Sequence, residues 1–164
     1  VMTRTKVYIV ADVSYSSNRN LDLVDEYIEK TGKTKEEYQD WMVGHSNIDT
    51  YTICLLSPNA SVEAAKQDVE KVAVHELVHM MFDDATGVVE DDTEVWIAEG
   101  IAIFYANQTD LSFVSKTEYP KISELIGFDN FVDNGGYDYA GIYVKHFIHM
   151  CYWNDFQILC YFLR

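Results

Sequence analysis

Val74-His75-Glu76-Leu77-Val78-His79 is the stretch on which the reading of this chain turns. It lies in a segment, Ser61 to about Phe82, where Val62, Ala65, Val69, Val72, Ala73 and Leu77 recur at threes and fours, which predicts a helix. Residues four apart on a helix differ in direction by about 40°, so His75 and His79 share one face, one turn apart. Two imidazole nitrogens at that spacing can bind one metal ion. Glu76 points roughly 100° away, so it can stay out of the ligand set and reach a water on the open side of the ion. Zinc suits imidazole, and a catalytic zinc site keeps three protein ligands and one open position. A third ligand is therefore expected elsewhere.

Glu99 is the candidate. It stands in Glu94-Val-Trp-Ile-Ala-Glu-Gly-Ile-Ala102, a segment read as an apolar helix from Glu94 to Ala106. A carboxylate is costly to bury there unless it is paired or metal-bound. Gly100 beside it removes a side chain and would let the His75/His79 helix approach. Each pattern alone has a plain explanation: a chance HExxH on a helix, or an edge glutamate. Together each answers the other's need, because Glu99 supplies a ligand and the metal supplies its counter-charge.

Working outward, Thr5 to Val13 predicts an interior strand and Leu21 to Lys30 a helix ended by Thr31-Gly32, with a short helix over Lys35 to Trp41. Met42–His45 and Tyr51–Leu56 read as two strands around a Ser46–Asp49 turn. Asp83 to Thr93 reads as an acidic loop, a solvated connection whose oxygens would also suit calcium, though without EF-hand spacing. Residues 107–120 read as loop, and Ile122–Ile126 as a turn of helix. Gly135-Gly136 precedes a long helix, Tyr137 to Trp153, and Asp155–Leu163 reads as a closing helix. The fold class expected is α+β, a small mixed sheet packed on helices. It forms one domain over residues 1–164, with a sheet-and-helix part to about 82 and a helical part after it.

The 164 residues are 48% apolar and 14% aromatic, enough for a real core. Twelve basic against 27 acidic residues leave a formal net charge of −15. That balance argues against a nucleic-acid binder, which needs a basic face, and against docking on anionic membranes. No run of this chain is long enough to span a bilayer or to form a signal-peptide core. Cys54, Cys151 and Cys160 make no CxxC and no even framework, so reduced thiols are expected, which fits a reducing compartment and favours the cytoplasm without fixing the localisation. His45, His146 and His149 have no HxxxH partner and are not read as zinc ligands.

With nineteen residues between His79 and Glu99, the HExxH and its downstream glutamate resemble the gluzincin pattern of zinc metallopeptidases. The context Trp96-x-x-Glu99-Gly100-x-Ala102 is similar to the peptidase MA-like group and the minigluzincins. Trp41–Gly44 with Thr52–Pro58 resembles the strand pair upstream of that family's zinc helix, and Tyr137–Phe147 its post-zinc helix. The resemblance implies a zincin-like fold and hydrolysis of a peptide or protein substrate. His75, His79 and Glu99 would hold Zn²⁺, and Glu76 would serve as general base. It also implies a tyrosine donor to the oxyanion, Tyr137 with Tyr139 as the alternative. One departure is plain: where gluzincins often carry an Asp or Glu after the third ligand, this chain has Ala102 and Ile103. A catalytically silent zinc-binding domain acting as a binding or regulatory module is the alternative function. An intact Glu76 favours the enzyme.

Overall fold

Three strands, β1 (Lys6–Val10), β2 (Gly44–Asn47) and β3 (Thr52–Leu56), form a mixed sheet in the order β1-β3-β2. β1 runs parallel to β3, with Val7 opposite Ile53, and β2 runs antiparallel, with Gly44 opposite Leu55. The structure, a computed structural model, describes residues 6–10, 25, 28–32, 34, 42–87, 94–109 and 119–153. The central strand is apolar on both faces because both are covered. Ile53 and Leu55 pack with Val72 and Met80, while Cys54 and Leu56 pack with Ile28, Ala60 and Ala64.

β2 starts two residues later than its sequence suggests, and Ser46 and Asn47 belong to the strand rather than the turn. The Asn47 side chain explains the shift. Its Oδ1 accepts hydrogen bonds from the Thr50 backbone N–H at 3.0 Å and the Thr50 hydroxyl at 3.1 Å. That moves the reversal to 48–51, where Tyr51 takes a positive φ of 50°.

The single helix expected from Ser61 to Phe82 is two helices, α1 (Val62–Lys66) and α2 (Val69–Thr86). Ser61 caps the first by accepting from the Ala64 N–H. Gln67 is extended, and Asp68 Oδ1 accepts from the N–H groups of Glu70 and Lys71, so Asp68 starts a new helix. The apolar period continues through the break, which is why periodicity alone bridges it. α2 also runs further than expected. Asp83 and Asp84, read as loop, are helical, and Gly87 ends the helix with φ 64°.

The remaining helices are α3 (Val95–Tyr105), α4 (Phe128–Asp133) and α5 (Gly136–Trp153), with a 3₁₀ turn at Ile122–Glu124. α4 has no counterpart in the sequence reading. Its buried Phe131 joins Ile103, Leu125 and Ala140 in a core. The expected helices at Lys35–Trp41 and Asp155–Leu163 lie outside the described residues, as do the end of the first strand and most of the Leu21–Lys30 helix, of which residues 25 and 28–30 are described and helical. Two compact units emerge, Val1–Met80 with the sheet and Met81–Arg164 with α3 to α5; the boundary falls within α2. Among the described residues, no helix is long and apolar enough to cross a membrane.

Candidate metal centre

α2 carries two rows of interest. Val72, Glu76 and Met80, at i, i+4 and i+8, are buried, and the two apolar members join Ile53 and Leu55 of β3 in one cluster. Glu76 thus occupies a core-facing row of the helix, only 8% exposed, a burial its sequence position did not announce. The polar residue at its centre hid that row from the sequence reading.

His75 and His79 form the adjacent row. Their Nε2 atoms stand 3.0 Å apart, with ring centroids 4.7 Å apart and planes at 69°. His79 is buried and His75 half-buried. Two nitrogens bound to one tetrahedral zinc at about 2.05 Å would be separated by about 3.3 Å. The helix therefore presents the pair close to the separation that a shared ion requires.

Cys54, on the face of β3 away from Leu55, is a buried thiol whose Sγ donates to the Lys30 carbonyl at 3.4 Å. Burial raises its pKa, Lys30 opposes the rise and the charge of Glu76 adds to it. It is thus held as a thiol.

In the second unit, Glu99 lies on α3 with its Oε2 buried. Its neighbour Gly100 does admit a close helix, but that helix is α5. A Cβ at Gly100 would stand 2.6 Å from Val144 Cγ2 and 2.8 Å from the Ala140 carbonyl oxygen. The expectation that this glycine serves the approach of the His75/His79 helix is corrected accordingly. One residue along a helix turns the direction by about 100°, so Glu99 and Gly100 need not face the same neighbour. Ala102 and Ile103 are both buried, and Ile103 is part of the second core, so neither position has room for the carboxylate often found there in gluzincins.

Tyr137 and Tyr139 are separated by environment. Tyr137, in the first turn of α5, is 36% exposed, with its ring edge-on to Phe131 at 4.8 Å. Tyr139 is 8% exposed, its ring against Tyr119 at 5.8 Å. Tyr143, further along α5, gives its hydroxyl hydrogen to the Pro120 carbonyl. His146 and His149 are exposed on the same helix.

The residue that sequence reasoning passed over is Gly44. Its α-carbon faces Glu76 so closely that a Cβ there would meet Oε1 at 2.5 Å. Nothing in a four-residue strand of mixed polarity signals that. As a donor set, His75, His79 and Glu99 could hold a metal ion. No family model, curated protein or solved structure matches the chain.

Proposed function

We propose that this chain is a zinc-dependent peptidase of gluzincin type with a zincin-like fold. The observation that carries the reading is the convergence of His75 and His79 Nε2 atoms at 3.0 Å on a helix that also buries Glu76. Glu99 fits as third ligand: its buried carboxylate oxygen on an apolar helix is a hard anionic donor of the kind zinc accepts beside two imidazoles.

When bound, the ion supplies a water acidified towards a pKa of about 7 and a Lewis acid for the substrate carbonyl. The chain's own residues do the rest. His75 and His79 offer neutral imidazole nitrogens. Glu76 takes a proton from the attacking water at a carboxylate oxygen and delivers it to the leaving amide nitrogen. Tyr137, the exposed member of the tyrosine pair, is the proposed hydroxyl donor to the oxyanion.

Metal analysis after dialysis against zinc tests the ligand set. One Zn²⁺ per chain is expected in the wild type, with much weaker retention in His75→Ala and Glu99→Ala. Cleavage of a broad peptide library by the loaded protein tests the reaction. A chain that retains no zinc, or ligand variants that retain it fully, would overturn the reading.

A further inference from the structure

Among the described residues β2 is an edge of the sheet, and its first residue, Gly44, lies opposite Leu55. Directly paired residues of antiparallel strands project to the same face. Gly44 therefore belongs to the face on which Leu55 packs with Val72 and Met80 of α2. A Cβ at position 44 would stand 2.5 Å from Glu76 Oε1, 2.9 Å from Glu76 Cγ and 2.6 Å from Val72 Cγ1. Real contacts do not come that close, so a side chain there forces a neighbour to move.

Which neighbour moves is decided by stiffness. Val72 is β-branched, nearly confined to one χ1 well on a helix, and backed by the packed Ile53 and Leu55. Glu76 is unbranched and turns about three bonds. Its carboxylate is the group that yields. We propose that Gly44 is a positioning residue for Glu76: the side-chain-free backbone of β2 leaves the space in which the buried carboxylate stands, and so fixes where the base is held. The proposal rests on the reading of Glu76 as general base for its catalytic consequence, but its structural half is measurable without catalysis.

The experiment is a cycle of full-length variants: wild type, Gly44→Ala, Glu76→Ala and Gly44→Ala/Glu76→Ala. Each is melted, assayed for zinc and, where the wild type cleaves a peptide, measured for kcat and KM. Gly44→Ala should lower Tm by roughly 5 °C, the usual consequence of overpacking a domain of this size. Part of that loss should vanish when Glu76 is already alanine. Zinc content should stay at the wild-type level, since no proposed ligand is touched. On a cleaved peptide, kcat should fall about a hundredfold with KM nearly unchanged, because a misplaced base acts on the chemical step and not on binding. Adding Val72→Ala to Gly44→Ala should restore stability in part and leave the kcat defect.

The proposal is overturned if Gly44→Ala costs the same Tm whether or not Glu76 carries its side chain. It is also overturned if Val72→Ala restores kcat, since the glycine would then serve packing alone. Should Gly44→Ala not fold, recovery of folding in the double variant supports the proposal, and failure of both contradicts it. A wild type that binds no zinc and cleaves nothing, yet shows the Tm coupling, would overturn the peptidase reading and leave the placement of Glu76 intact.

Discussion

Glu76 is the buried carboxylate to which the proposed function gives the role of base. It sits between Val72 and Met80 in a row that otherwise feeds the core. Replacing it by glutamine keeps the shape but leaves no carboxylate to take a proton. Glu76→Gln is therefore expected to keep zinc and to lose hydrolysis by a factor of about 10² to 10⁴. Metal analysis beside a turnover assay checks both halves. A second residue-scale prediction concerns Tyr143. Burial, then the neighbouring Tyr139, Tyr119 and Glu124, raise its pKa above the ordinary tyrosine value. Its folded form holds the proton more tightly than its unfolded form. The stability this contributes is thus complete below pH about 10 and lost as pH rises through the folded pKa. Absorbance titration near 295 nm should show a late-ionising tyrosine that disappears in Tyr143→Phe. That variant should also lose about 1 kcal/mol with the bond to Pro120. At this scale the sequence carried the HExxH spacing of His75 and His79 because a helix converts spacing into direction. It carried neither the burial of Glu76 nor the role of Gly44, because both depend on which strand lies under α2.

Elements are held together here by what is missing as much as by what is present. α3 and α5 meet where Gly100 faces Ala140 and Val144, and where Gly141 faces Ile103. At Gly100 one opposing atom is a helix carbonyl, which cannot swing aside. Gly100→Ala should therefore cost about 1–3 kcal/mol by forcing the helices apart. A chemical-denaturation curve measures it, and an unchanged midpoint would show that the pair can separate without loss. Local pattern was a good guide to the strands and to the two apolar helices, because their periods are long or their burial two-sided. It failed at Gln67-Asp68, where a side-chain cap restarts the helix within a continuous apolar period. It also missed α4, whose six residues are too few to display a period and whose place depends on Phe131 reaching a core built from distant segments.

For the molecule as a whole, a metal ion bound to the proposed ligands would tie stability to pH and to metal supply. Zinc should raise Tm at neutral pH, by an amount that grows with free metal. The gain should fade in acid, as His75 and His79 take up protons that compete with the ion. A chelator titration followed by circular dichroism reads this directly, and a Tm indifferent to zinc would contradict it. The charge of −15 bears on association and solubility rather than on the site. The most direct test of the central claim is mass spectrometry of a broad peptide library incubated with zinc-loaded wild type and with zinc-loaded Glu76→Gln at matched metal content. The account predicts discrete cleavage products from the wild type and almost none from the variant. Equal product from both, or none from a wild type that holds its zinc, would contradict it.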